Sequence, residues 1–515
     1  MPSVDSSKKE RRMAAPRGIL YLLLAVILVA YCVLGAVYAW ETPPWQTPDE
    51  PAHFHYVKYL ATEGQFPILQ LGDFPLQYLE EIKAARFPPQ MSIAALRYES
   101  HQPPLYYAFA ALLYRLTNSL AFEQQFFALR LFSVLLGAAV LWLIYGLTRD
   151  VFPEDPFLPL AATAFVATIP MHLAMTAAIN NDTMSELMLL LVLWQALRGT
   201  KTGLTRRHGV LTGILLALVL LTKTTIYVPA IAVTGLAALM RRQAAPVGPH
   251  PQELNKVRYL LLVGTIAGLL AAPWFVRNAL SYGDMDILVW RRHDLVASGQ
   301  LRTADLLAGI GWLQYLRQFA LTTFRSFWAQ FGWMGVLVDE RIYRALALWS
   351  ALLVTGLLLF AERVRRGQHR LTSEQSHNLA LLGCSAVLSV LVYVAYNTKF
   401  VQHQGRYLFT ALGPLGVAAA LGLREILRPK AARLLTTGLA AACLVLLLRG
   451  LIVVHVPVWT IILLGGAATL LGIAGWLPKP WQWLAPISLY ASLLLLDYIC
   501  IYNYIVPALR LAVPG

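Results

Sequence analysis

Apolar stretches of about 20 residues alternate with short polar turns from residue 19 to residue 503, and a stretch of that length crosses a ~30 Å hydrocarbon core. The pattern predicts spans over 19–40, 126–147, 157–178, 184–198, 209–222, 226–240, 258–276, 343–361, 378–396, 407–424, 433–449, 457–476 and 484–503. That is an all-α integral membrane protein with roughly thirteen transmembrane helices. Two places are open. Residues 104–120 form either a further span or a helix lying in the interface, and the short pair flanking Lys223 is either two spans or a re-entrant hairpin. Two long segments, 41–125 and 278–341, lie between spans, and neither reads as a separate soluble domain. Their aromatic, Pro-rich pieces, Glu41-Thr-Pro-Pro-Trp-Gln and Pro103-Pro-Leu-Tyr-Tyr, suit helices in the membrane interface.

Composition agrees with the pattern: 58% of residues are hydrophobic and 13% charged, which leaves almost no room for a soluble fold. The formal charge of +15 is divided among short loops, so it reads as membrane topology and excludes a nucleic-acid-binding face. Lys8, Lys9, Arg11, Arg12 and Arg17 precede the first apolar stretch, which is too long for a signal-peptide core. A basic N-terminus (1–18) is expected in the cytoplasm, with residues 19–40 retained as the first span. The same threading collects Arg198, Lys201, Arg206 and Arg207; Arg241, Arg242, Lys256 and Arg258; Arg363, Arg365, Arg366 and Arg370; and Arg424, Arg428, Lys430 and Arg433 inside. The connector 243–252 falls inside as well. Both long segments then face the outside of a multi-pass cell-membrane protein. Cys32, Cys384, Cys443 and Cys500 each lie in an apolar run, where a thiol packs as a small hydrophobe and no disulfide is expected.

The densest polar cluster is Thr47-Pro-Asp-Glu-Pro-Ala-His-Phe-His-Tyr56, which holds Asp49, Glu50, His53 and His55. A helix beginning after Pro48 places Asp49 and His53 on one face, with the carboxylates favoured by the positive end of the helix dipole. An ionised Asp49 beside an imidazole suits a general base or a metal ligand; the alternative is an N-cap with solvated neighbours. Asn180-Asn181-Asp182 supplies a second acid on the same predicted side, or else a turn and helix cap. Lys223, Arg277 and Arg406 stand at membrane boundaries, as phosphate ligands or as snorkelling cations, and Gly405 beside Arg406 would let backbone approach a ligand. His101 and Gln102 open an expected interfacial helix, with His101 either a ligand contact or a satisfied structural histidine. Ser326-Phe-Trp reads as an interfacial aromatic anchor first and a lipid or sugar platform second. No Walker A loop, Gly-x-Gly-x-x-Gly, His-Glu-x-x-His, Cys-x-x-Cys or Gly-x-Ser-x-Gly is present, which weighs against ATP-driven transport, Rossmann chemistry and thiol-ligated zinc.

Pro48-Asp-Glu-Pro-Ala-His-Phe, His101-Gln-Pro-Pro-Leu-Tyr-Tyr, Asn181-Asp-Thr, Leu221-Thr-Lys, Trp274-Phe-Val-Arg-Asn, Ser326-Phe-Trp and Gln404-Gly-Arg-Tyr-Leu occur in that order over residues 40–410. The set resembles a bacterial branch of predicted membrane proteins within the GT-C superfamily of membrane glycosyltransferases, related to the protein mannosyltransferase and aminoarabinose transferase families. The resemblance implies a GT-C fold, with a catalytic module over 19–425 and additional helices over 426–515. It implies inverting transfer from a polyprenyl-phosphate sugar donor to an extracytoplasmic acceptor (glycan, lipid or protein) at the outer face of the bilayer. It makes Asp49 the base or acceptor-orienting carboxylate, with Glu50 in support, and Asp182 the second active-site acid. Arg406, Arg277 and Lys223 would hold the donor phosphate, with His101 and Gln102 beside them; Gln102 stands where some relatives have Lys. No cofactor is firmly implied; a divalent metal ion is left open, with His53 and His55 as candidate ligands. The rival reading is a multi-span transporter or flippase for a lipid-linked or anionic substrate, which predicts charges at mid-membrane depth in two related halves.

Overall fold

The computed structural model describes residues 17–241, 253–478 and 481–511; Lys8, Lys9, Arg11, Arg12, Arg242 and the connector 243–252 lie outside them. Each predicted apolar stretch is helical. The chain begins with α1 (Arg17–Glu41), followed in the first long segment by α2 (Glu50–Glu63), α3 (Leu76–Ala84) and α4 (Leu105–Leu116). Residues 104–120 are thereby resolved: α4 has 12 residues, about 18 Å of helix, too short to cross the bilayer. Next come α5 (Phe122–Val151), α6 (Phe157–Ala167), α7 (Pro170–Thr176), α8 (Asp182–Thr202), α9 (Arg206–Leu220), α10 (Tyr227–Met240) and α11 (Lys256–Tyr282). The second long segment contains α12 (Trp290–Val296), α13 (Thr303–Trp328) and a two-stranded hairpin pairing Gln330 with Leu337. The last helices are α14 (Glu340–Arg365), α15 (Ser373–Asn397), α16 (Leu412–Ile426), α17 (Pro429–Ile452), α18 (Val458–Trp476), α19 (Leu484–Ile499) and α20 (Val506–Leu509).

Nine helices among the described residues are long and apolar enough to cross a membrane, and α6 with α7 makes a tenth if that bent pair is one span. The pair turns by 68°. Its cause is Pro170, which lacks an amide hydrogen and forces Ile169 out of the helical region, to φ −90° and ψ 110°. The remaining three predicted spans, α8, α9 and α10, miss the length and apolarity test. The first carries Asp182, Glu186, Arg198 and Lys201, and the other two have 15 and 14 residues, about 21–23 Å of helix. They are nonetheless packed in the bundle, α9 along α11 and α10 between α8 and α15. The tightest crossing joins α14 to α16, where a Cβ on Gly356 would stand 2.1 Å from the Gly422 carbonyl.

The piece Glu41-Thr-Pro-Pro-Trp-Gln is a sequence of turns, and its predicted interfacial helix does not form: Pro43 and Pro44 remove two donors, and Trp45 takes φ 70°. Trp45 packs against Phe54 and Phe126 instead, and its carbonyl accepts the Trp333 indole N–H at 2.9 Å. The two long segments are stitched together by arginines on backbone. Arg277 donates to the Phe66 and Pro67 carbonyls at 3.2 and 2.5 Å, and Arg292 to Leu69 at 3.0 Å.

One ion pair fixes the first segment to the bundle. Arg130, inside α5, meets Glu50 in a two-pronged contact, Nε to Oε1 at 2.8 Å and Nη2 to Oε2 at 2.7 Å. Both residues are fully buried. Arg130 also donates to the carbonyls of Ala39, Thr42 and Pro43, while Glu50 accepts the amides of Trp45 and Ile179 at 3.1 Å each. Such a pair is tolerable out of water only because nearly every polar atom in it is satisfied.

Two outcomes test this architecture. Arg130→Ala strands the Glu50 carboxylate and should destabilise the protein by about 3–5 kcal/mol, read as loss of monodisperse protein on fluorescence-detected size exclusion. Gly356→Val should lower the thermal unfolding midpoint through overpacking of about 1–3 kcal/mol. Gly466→Val is the control, since nothing lies within 4 Å of a Cβ there.

Candidate active site

The helix predicted after Pro48 begins at Glu50, and Asp49 is its N-cap residue. Its backbone is left-handed, φ 67°, and its side chain makes no capping bond. A non-glycine residue in that region carries strain on the order of 1 kcal/mol, which Asp bears better than most. Freed from capping, the carboxylate accepts the Tyr98 hydroxyl on Oδ1 at 3.1 Å and Arg406 Nη2 on Oδ2 at 2.5 Å.

Arg406 belongs to the 3-10 turn Gly405–Ala411 that leads into α16. Its Nε is braced by Gln404 at 2.7 Å, and Nη1 lies 3.8 Å from Asp182 Oδ2. Asp182, the first residue of α8, also binds Lys223 through Oδ1. Asp49, Arg406, Asp182 and Lys223 therefore form one alternating chain of charges. They come from four separate stretches of sequence, each at the end of a helix. The asparagines before Asp182 do the local wiring: Asn180 accepts the Asp182 amide at 2.9 Å, and Asn181 donates to Gln102 and to the Thr222 carbonyl. The Asp182 side chain is thus left to face the cations.

Burial alone would push the Asp49 pKa up; the Arg406 charge, helped by His53 and Tyr98, outweighs it and holds the group below the usual carboxylate range. Asp49 is therefore ionised at neutral pH, and only acid conditions discharge it. His53 packs on the same side, its Nδ1 2.7 Å from the Tyr107 hydroxyl. Burial keeps its imidazole below the ordinary value, an effect that Glu99 and Asp49 only partly offset.

The other predicted residues divide. Gln102 lines the site, donating to Glu99 at 2.8 Å and accepting from Asn181 at 3.1 Å. His101 turns away, with Nδ1 on the Tyr98 carbonyl at 3.0 Å and its ring 4.8 Å from that of His293; burial lowers its pKa to about 4. Glu50 is not a partner of Asp49. Its two oxygens are taken up by Arg130 and two backbone amides, because Asp49 stands before the helix in left-handed backbone and the two side chains part there. Arg277 joins no acid of the site, being held by the Phe66 and Pro67 carbonyls and stacked over Trp274 and Tyr282. His55 faces Tyr59, away from His53. Among the described residues no three His, Cys, Asp or Glu side chains are grouped to hold a metal ion, and Asp49 and Asp182 are each already paired with a cation. A resident divalent ion does not fit this arrangement.

Gly405 serves packing, not ligand access: a Cβ there would lie 2.3 Å from the Thr323 carbonyl, and its amide donates to Ser326 Oγ at 2.7 Å. Ser326 and Trp328 are buried in that joint, Trp328 against Phe165, so Ser326-Phe-Trp is no surface anchor. Sequence reading passed over Arg130, Tyr98, Glu99 and Gln404. A lone arginine inside the predicted span 126–147 was the available signal for Arg130.

The architecture has solved counterparts. ArnT from Cupriavidus metallidurans in the apo state superposes with a TM-score of 0.51 at 17% identity, over 95% of this chain and 78% of that one. ArnT bound to undecaprenyl phosphate gives 0.49 at 15%, over 95% and 77%. Archaeal oligosaccharyltransferase AglB from Archaeoglobus fulgidus, in complex with an inhibitory peptide and a dolichol-phosphate, gives 0.43 at 14%, over 90% of this chain and 57% of that one. The first of these shows the fold, which is GT-C. Among curated proteins no match is found. The model of the family described as "Predicted membrane protein (DUF2142)" matches residues 89–413, more than half of the chain, and the protein belongs to that family.

Proposed function

We propose that the protein is an inverting membrane glycosyltransferase that moves a sugar from a polyprenyl-phosphate carrier to an extracytoplasmic acceptor. One observation carries this reading: Arg406 joins Asp49 to Asp182, with Lys223 completing the chain, in a half-buried site at the ends of helices. The resemblance noted in the sequence and the shared GT-C fold support it.

The chemistry follows from the charges. A lipid-linked donor approaches from the bilayer, so its phosphate reaches a helix end without any nucleotide-binding domain. Arg406 and Lys223 are paired with carboxylates until then, and a phosphate competes for them with two or three acceptor oxygens. The acceptor nucleophile attacks the anomeric carbon from the face opposite the phosphate. The carbon–oxygen bond to phosphate breaks with its electron pair, and the charge that develops on the leaving group is stabilised by the two cations. Asp49 orients the nucleophile and returns to Arg406 after each turnover. Asp182 keeps Lys223 in place. The nucleophile's proton passes to a carboxylate of the same mouth.

A transporter would place its charged groups within spans near mid-membrane, whereas Asp49, Asp182, Lys223 and Arg406 all occupy helix termini or links.

The test is transfer of labelled sugar from a panel of polyprenyl-phosphate sugars by the protein in nanodiscs. Asp49→Asn keeps shape and removes charge, and should lower turnover by roughly a hundredfold or more with folding intact; turnover at the wild-type rate would reject its role. Arg406→Ala should weaken donor binding by about ten- to a hundredfold, measured by titration in the same discs. Unchanged donor affinity would remove Arg406 from the phosphate site.

A further inference from the structure

Three carboxylates share the mouth, and only two of them have a cation. Asp49 is held by Arg406, and Asp182 by Lys223. Glu99 has none within 4 Å among the described residues. Its Oε2 accepts one neutral bond, from Gln102 at 2.8 Å, and its Oε1 accepts none from the described chain. The residue is half-buried.

Its place is fixed from both sides. The preceding residue, Tyr98, binds Asp49 Oδ1, while Gln102 is anchored by Asn181, next to Asp182. Glu99 is thereby suspended between the two acids. The groups around it are Asp49 and His53 at the start of α2, Lys223 between α9 and α10, Tyr98 in its own segment, Tyr107 on α4 and Tyr396 on α15.

We propose that Glu99 is the catalytic base that takes the acceptor's proton, and that Asp49 orients the acceptor and holds Arg406; this rests on the glycosyl-transfer reading above. A base works best when its pKa lies near the operating pH. Arg406 makes Asp49 a weak base. Burial raises the Glu99 pKa, with Asp49 adding to the rise and His53 and Lys223 opposing it. In the step itself, the acceptor O–H bond breaks and its proton moves to Glu99. The oxygen bonds to the anomeric carbon as the carbon–phosphate oxygen bond breaks, and the electron pair leaves on the prenyl phosphate. Glu99 then releases its proton to water at the mouth.

The deciding measurement is kcat and donor KM against pH, from about pH 5 to 9, for wild type, Glu99→Gln, Glu99→Asp and Asp49→Asn in nanodiscs. Wild-type kcat should fall on the acid side with a midpoint above the ordinary carboxylate range. Glu99→Gln should lose about 10²–10⁴-fold in kcat, with donor KM little changed and the acid limb gone. Glu99→Asp, which keeps a base, should retain a displaced limb and confirms that loss in Glu99→Gln is not misfolding. Asp49→Asn should keep the limb while lowering kcat across the whole pH range. Wild-type transfer with the same limb and rate in Glu99→Gln overturns the assignment alone. A wild type that transfers from no donor overturns the glycosyl-transfer reading and the assignment with it.

Discussion

The end of the bundle that carries the candidate site depends on a charge that never meets water. Glu50 and Arg130 are buried together, and an isolated pair of that kind loses more in desolvation than it gains in attraction. Here the deficit is met by three carbonyls on Arg130 and two amides on Glu50. One of those amides is Ile179, three residues before Asp182; the carboxylate itself is adjacent to Asp49 in sequence. A single side chain therefore fixes the starting points of both acid-bearing segments, and the strained backbone at Asp49 persists because both of its flanks are pinned.

Much of this was legible in the sequence, and the rest was hidden for definite reasons. Apolar run length found the helices of all thirteen predicted stretches and passed over α13, which lies in the second long segment. Three of those stretches stand outside the helices clearly able to span: α9 and α10 are apolar but short, and α8 carries four charges. Run length also missed that Pro170 breaks one stretch in two. The Asp49, Asp182, Lys223 and Arg406 positions could be read because charges at helix ends facing one side of a membrane have few uses. What could not be read was which of two neighbouring acids faces the site. Asp49 stands outside α2 with left-handed backbone and Glu50 is the helix's first residue, and Glu50 is drawn away from the site by Arg130, eighty positions away. Likewise Arg277 and Arg406 look alike in sequence, yet one meets carboxylates and the other meets backbone carbonyls of a distant loop.

The charged chain from Asp49 to Lys223 has a further property. With two anions and two cations alternating, the pairs largely neutralise one another, which keeps the desolvation of each group bearable at a membrane boundary. On the glycosyl-transfer proposal, a donor phosphate arriving there exchanges one anion for another, so the cations are never left bare. Glu99 stands outside that balance, and its electrostatic setting differs from that of Asp49 although both carboxylates share one mouth.

The ties between the two long segments are also of a particular kind. Arg277 and Arg292 grip the main-chain oxygens of Phe66, Pro67 and Leu69, and every residue possesses such an oxygen. The grip itself is thus independent of side-chain identity, which at these positions is constrained by packing instead: Leu69 is buried and Phe66 meets the Trp274 ring edge-on. A scaffold clamped in this way fixes the path of the first long segment through its backbone, and so keeps that loop in register with α11 and α12.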